Sequence, residues 1–152
     1  MKGEEYIAKI LKQEGIEWLS CFPSNVMIEA LAKEGIQPIA FRHERGAVMA
    51  ADGYARVNDG KNISVVCMQN QAGAENAMGG LAQANADNIP ILVMPGGNPL
   101  NQLFIRPNFS AAYSWANVSR HAEFITSPAE TGNVMRRAIH RLKSSTPGPV
   151  VV

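Results

Sequence analysis

The run Ile63-Ser64-Val65-Val66-Cys67-Met68 is short, almost wholly apolar and free of alternation. A segment of this kind suits a strand covered on both faces, because a half-exposed strand would show a polar residue at every second position. Ile91 to Met94 and Pro149 to Val152 repeat the pattern, and Ile16 to Phe22 is a further buried run. Segments with helical spacing separate these strands. Strands that bury both faces and alternate with helices call for an α/β fold with a mainly parallel sheet. The expected architecture is a three-layer α/β/α sandwich around a six-stranded, mainly parallel sheet.

Taken in order, Glu4 to Glu14 is a helix, with Tyr6, Ile7, Ile10 and Leu11 on one face, stopped by Gly15. After the first strand, Pro23-Ser24-Asn25 is a turn whose Ser24 or Asn25 can cap a helix from Val26 to Lys33, with Ile28 and Leu31 inward. Gln37 to Phe41 is the second strand. A helix then ends near Asn58-Asp59-Gly60, the third strand follows, and a polar loop from Gln69 to Asn76 opens a helix reaching Ala86. Beyond the fourth strand, the segment from Pro95 to Asn108 reads as an extended surface loop, long enough to be functional or mobile. Ala111 to His121 is ambiguous, with a helix bearing Tyr113 and Trp115 as one reading. Ala122 to Thr126 reads as a short strand, Pro128 opens the last helix to Leu142, and Pro149 begins the sixth strand. The chain stops inside that strand pattern, so it is expected to be a single domain, residues 1–152, forming the N-terminal part of a longer protein.

With 152 residues, 46% hydrophobic and 18% charged, the composition is that of a folded domain with a sizeable core. The formal net charge of +1 and the lack of a basic patch argue against nucleic acid as a partner. No apolar run is long enough for a bilayer, so no membrane is expected. Met1 to Glu5 places acids where a signal peptide turns apolar, and a cytoplasmic location is expected. Cys21 and Cys67 lack metal or redox spacing and read as small core hydrophobes.

The chemistry concentrates around Phe41 to Arg56, where Glu44 stands at the junction of a strand and a helix dense in Gly and Ala. One reading of Glu44 is a surface acid complementing the helix dipole. The other is a functional carboxyl, since ligands of open parallel sheets bind beyond the carboxyl ends of the strands. Three loops lie at such ends: Cys21 to Asn25, Arg42 to Glu44, and Gln69 to Asn76. Neither a GxxxxGK[ST] phosphate loop nor a GxGxxG turn is present. Ser24, Ser64 and Ser110 lack a nucleophile-elbow context, and His43, His121 and His140 lack metal-ligand spacing. His140 shares a basic, solvated helix face with Arg136, Arg137 and Arg141. Small residues from Ala47 to Ala55 and from Ala74 to Ala84 suggest helix faces free to pack against another domain.

Three stretches carry a resemblance. Arg42-His43-Glu44-Arg45-Gly46-Ala47 with Gly53-Tyr54-Ala55-Arg56, then Gly73-Ala74-Glu75-Asn76 with Asp87-Asn88-Ile89-Pro90-Ile91, and finally Gly148-Pro149-Val150 resemble the pyrimidine-binding domain of thiamine-diphosphate enzymes, nearest the acetolactate synthase-like proteins. The resemblance covers essentially the whole chain. It implies a thiamine diphosphate cofactor, a 2-keto acid substrate, and Glu44 as the catalytic carboxyl that exchanges a proton with ring nitrogen N1′. Pro23, Ser24, Asn25, Ala72, Gly73 and Asn76 join Glu44 as implied cofactor-binding residues. No metal ligand is implied in this chain: the Mg2+ on the diphosphate takes its ligands from a G-D-G…N motif in a separate domain.

The implied partner is the diphosphate-binding domain of a second subunit in a homodimer or homotetramer, and this chain alone is expected to be inactive. Two departures stand out. Gln71 occupies a position that is usually glycine in the family, and Phe109-Ser110 stands where acetolactate synthases carry Phe-Gln. A small subunit of a split decarboxylase of the sulfopyruvate type and a non-catalytic α/β regulatory module are the alternative readings.

Overall fold

A computed structural model describes every residue from Met1 to Val152. Six strands form one sheet: β1 (Trp18–Cys21), β2 (Gln37–Ala40), β3 (Ser64–Met68), β4 (Ile91–Pro95), β5 (His121–Ala122) and β6 (Val150–Val151). Their order is β2-β1-β3-β4-β6-β5, and every pairing is parallel. The helices are α1 (Gly3–Gln13), α2 (Val26–Lys33), α3 (Glu44–Val57), α4 (Ala72–Ala86), the short α5 (Ala111–Ser114) and α6 (Thr131–Leu142).

The apolar runs serve two cores at once. Val65 and Cys67 of β3 face one side, with Ile7 and Leu11 of α1, Met27 and Leu31 of α2, and Met135 and Leu142 of α6. Val66 and Met68 face the other, with Ala47, Val48 and Ala51 of α3, Ala77 and Leu81 of α4, and Trp115. Every residue of β3 is therefore buried, which accounts for the missing alternation. Burying a Val- or Leu-sized side chain contributes about 1.5–3 kcal/mol, so each large residue in these runs is a substantial source of stability.

At the ends of the sheet the pattern changes. β2 is largely exposed and carries Pro38, which has no amide hydrogen to donate and so suits an edge strand. The opposite edge, β5, is only two residues long.

Several expectations need correction. The strand expected over Ala122 to Thr126 shrinks to His121–Ala122: Glu123 N still donates to Val151 O at 3.0 Å, but β6 is only two residues long and offers no further partner. Ala111 to His121 is α5 followed by a 3-10 turn, Ala116–Val118, with Trp115 fully buried between them and Tyr113 exposed. The segment after Pro95 contains a 3-10 turn, Leu100–Gln102. On α1, Tyr6 is exposed and Ala8 takes a core place.

The small faces of α3 and α4 do not point away from the domain: Ala47, Ala51, Ala74, Ala77 and Ala84 are buried in the shared core on one side of the sheet. A Cβ added at Gly80 would lie 3.2 Å from Val48 Cγ1, so the two helices have no room for one there. Gly53 differs, since a Cβ there meets nothing within 4 Å.

Candidate functional site

The chain passes from β2 across β1 to reach β3, so the carboxyl ends of these strands meet where the direction of strand addition reverses. Phe41 N donates to Cys21 O at 2.8 Å and Phe22 N to Cys67 O at 3.0 Å, keeping the three strands together up to the loops. Asn25 completes this closure. Its Nδ2 donates to Met68 O at 2.8 Å and Met94 O at 3.1 Å, while its Oδ1 accepts from Met27 N at 2.9 Å and caps α2. Both ends of the Asn25 amide are thus committed to structure. Pro23 and Ser24 are exposed beside it and make no hydrogen bond to Glu44.

Glu44 opens α3 after an N-cap that sequence reasoning missed: His43 Nδ1 accepts from Arg45 N at 3.2 Å. Histidine is not among the preferred N-cap residues, so composition gave little signal. The surface-acid reading of Glu44 does not hold, because the residue is only 4% exposed. Asn76 Nδ2 donates to Glu44 Oε2 at 3.2 Å, the partner that a buried carboxyl needs. Oε1 has no hydrogen-bond partner in the chain, yet it is not fully enclosed.

Gly73 explains how that oxygen stays open. A Cβ on Gly73 would lie 3.0 Å from Glu44 Oε1 and 2.7 Å from Gln69 Cβ. Glu44, Gly73 and Asn76 are therefore brought together, with Ala72 exposed at the start of α4 next to them.

Two residues on the flanking loops have left-handed backbone. Ser24 has φ +89°, and Gln71 has φ +53° with ψ −117°. Such conformations cost a non-glycine residue on the order of 1–3 kcal/mol. Gln71 is the position at which the resemblance carries glycine and this chain does not.

Behind the site, Asp52, Arg56 and Asp87 link the far ends of α3 and α4. Arg56 Nε donates to Asp52 Oδ2 at 2.9 Å and Nη2 to Asp87 Oδ2 at 2.7 Å, and both carboxylates hold the guanidinium pKa above its ordinary value. Cys21 and Cys67 are in register on β1 and β3, both free and buried. Burial pushes both thiols up, and for Cys67 the neighbouring Cys21 adds to the effect, so neither is an activated nucleophile.

The geometry fits the pyrimidine end of thiamine diphosphate: a buried carboxyl with one open oxygen, beside a backbone that a side chain would block. No three His, Cys, Asp or Glu side chains converge anywhere in the chain. No helix is long and apolar enough to cross a membrane.

The family model for the thiamine pyrophosphate enzyme, N-terminal TPP binding domain, matches residues 1–112. The acetolactate synthase large subunit of Lactococcus lactis subsp. lactis (strain IL1403) is 32% identical over 158 residues, covering 99% of this chain and 27% of that protein. The probable acetolactate synthase large subunit of Methanocaldococcus jannaschii is 31% identical, covering 99% of this chain and 26% of that protein. The isozyme 2 large subunit of Escherichia coli (strain K12) is also 31% identical, covering 100% and 28%. The chain spans about a quarter of the length of these curated relatives. With most of its length matched to that domain and the buried carboxyl in the matching motif, the chain belongs to the thiamine pyrophosphate enzyme family, through its N-terminal TPP-binding domain.

Proposed function

We propose that this chain is the pyrimidine-binding half of a thiamine-diphosphate-dependent enzyme acting on 2-keto acids, by decarboxylation or carbon–carbon bond formation. The observation that carries the reading is Glu44, buried, held by Asn76 through one oxygen and open at the other beside Gly73. Thiamine diphosphate supplies a thiazolium carbon that attacks carbonyl carbons once deprotonated. Glu44 Oε1 holds and exchanges a proton at ring nitrogen N1′. Asn76 orients that carboxyl. The bare backbone at Gly73 admits the ring, and Ala72 flanks it. Pro23 and Ser24 close the opposite side, and Asn25 fixes their loop to β3 and β4.

Mg2+ and the diphosphate are held by a domain outside these residues, contributed by a second subunit of a homodimer or homotetramer in the cytoplasm. On this reading the chain alone is inactive and holds only part of its cofactor. Similarity to acetolactate synthases supports the 2-keto acid class. Ser110 in place of glutamine leaves the choice among 2-keto acid reactions to the rest of the pocket.

Hydrogen–deuterium exchange at the cofactor's C2 in the assembled enzyme tests the role of Glu44. Glu44→Gln keeps the volume but cannot exchange the proton, and the rate falls by roughly 10²–10⁴-fold. Near-normal exchange removes Glu44 from the mechanism. For the isolated chain, calorimetry with thiamine diphosphate and Mg2+ is expected to give millimolar binding at best, about 4 kcal/mol. Micromolar, magnesium-dependent binding would overturn the assignment of the metal site to another domain.

A further inference from the structure

Gln71 holds its strained backbone while its side chain reaches away from α4 into the loop that follows β4. Its Nε2 donates to Asn98 Oδ1 at 3.1 Å and Asn108 Oδ1 at 2.9 Å. Asn70 Nδ2 reaches the same Asn98 oxygen at 2.9 Å, and Asn98 Nδ2 donates to Phe109 O at 3.2 Å. Asn108 Nδ2 in turn donates to Gln102 O at 3.1 Å, and Gly96 N to Met68 O at 2.9 Å. Residues 96–109 are thereby fastened at Asn98 and Asn108 to the two residues that precede α4, and at Gly96 to the end of β3. A left-handed glutamine persists only where its surroundings over-determine it, and this amide network does so.

The fastened loop is a wall. Asn98, Leu103, Phe109 and Ser110, with Met94 and Phe124, line a largely apolar cavity of about 410 Å³ beyond the carboxyl ends of β4 and β6. That is the size of a small-ligand site. Asn25 reaches the same cavity from the β1 side, and Gln71 lies two residues from Gly73, the residue that abuts Glu44. No residue from Met68 to Asn76 lines the cavity itself; the two regions are joined through Asn98, which lines the cavity and accepts from both Asn70 and Gln71.

We infer that Gln71 is a positioning residue that latches loop 96–110 and, through Phe109 and Ser110, sets which 2-keto acid side chains the cavity admits. The latch stands on the hydrogen bonds alone, whereas the selectivity rests on the thiamine-diphosphate reading above. Glycine at this position would relax the backbone but leave Asn108 without its partner and Asn98 held by Asn70 alone.

Two variants separate these effects. Gln71→Ala keeps the strain and loses the amide; Gln71→Gly loses both, and remains readable should the alanine variant fold poorly. In the full chain, amides of residues 96–110 are expected to exchange with solvent deuterium roughly tenfold faster in either variant, with β3 and β4 unchanged. Loop exchange unaltered in both overturns the latch. In the assembled enzyme, the ratio of kcat/KM for 2-oxobutyrate to that for pyruvate is expected to shift by roughly threefold or more in Gln71→Gly. A loosened loop with an unchanged ratio overturns the selectivity role. Wild-type enzyme inactive on every 2-keto acid, with loop exchange still accelerated by the variants, sinks the functional reading and the selectivity with it, while the latch holds.

Discussion

Asn76 Nδ2 lies 3.2 Å from Glu44 Oε2 and ties the second turn of α4 to the first turn of α3. Asn76 provides the only side-chain hydrogen bond to this buried carboxyl. Removing it in Asn76→Ala costs about 1–3 kcal/mol, the usual penalty for a buried polar group left without a partner. Asn76→Asp is expected to be worse, because an acceptor then faces an acceptor at the same distance. Urea unfolding of the three proteins orders them; an aspartate variant as stable as wild type would contradict the contact.

Ser24 has φ +89° on an exposed turn. Glycine adopts this backbone without strain, though it loses more entropy on folding. Ser24→Gly is expected to gain about 1 kcal/mol. Thermal unfolding should show a midpoint roughly 2–4 °C higher. A lower midpoint would mean that backbone strain at Ser24 does not decide the response.

Two glycines in helices should respond in opposite directions. At Gly53 an added Cβ meets nothing within 4 Å, so Gly53→Ala gains about 1 kcal/mol of helix propensity. At Gly73 the same methyl lies 2.7 Å from Gln69 Cβ and 3.0 Å from Glu44 Oε1, so Gly73→Ala loses about 1–3 kcal/mol through overpacking. Equal responses in thermal unfolding would show that the gap beside Glu44 is not needed.

Glu123 carries an acid-sensitive contribution. Arg137 Nε donates to Glu123 Oε2 at 3.0 Å, and His121 Nε2 lies 2.9 Å from the same oxygen. The hydrogen bonds from Arg137 chiefly, then that from His121, hold the Glu123 pKa below the usual carboxylate range against the opposing effect of burial. The pKa is depressed in the folded chain, so the contribution is complete above the unfolded value of about 4.3 and fades as pH falls through the folded value. Arg137→Gln should flatten the acid limb of urea midpoints measured from about pH 6 to pH 3. The change is expected to be small, since Arg137 is half exposed and solvent screens the pair. An unchanged limb would assign acid sensitivity elsewhere.

The strands were legible in the sequence because burial on both faces leaves an unmistakable apolar run, as in Ser64–Met68. Glu44 was legible for a related reason: an acid at a strand-to-helix junction stands out, and its motif neighbours are close in the chain. What escaped was chemistry dependent on distant pairing. The ending of β5 after Ala122 follows from its partner, since β6 pairs with it only over Val150 and Val151. The commitment of Asn25 to Met68 and Met94 carbonyls depends on strand order, which local patterns do not encode. The small faces of α3 and α4 looked vacant because nothing in either helix names the other as its neighbour. Gln71 showed only as a departure from glycine; its left-handed backbone and its bonds to Asn98 and Asn108 needed three dimensions.

The two ends of the sheet constrain how this chain can associate. β2 is four residues long with Pro38 in the middle of its pairing, and β5 has only two residues. Neither rim offers the unbroken row of donors and acceptors on which a strand from another molecule could align. Fibril-like stacking and sheet continuation between copies are therefore disfavoured by the chain's own geometry. The surfaces this leaves for any association are the helix exteriors and the loop tips at the carboxyl ends of the strands, the end at which Glu44 opens.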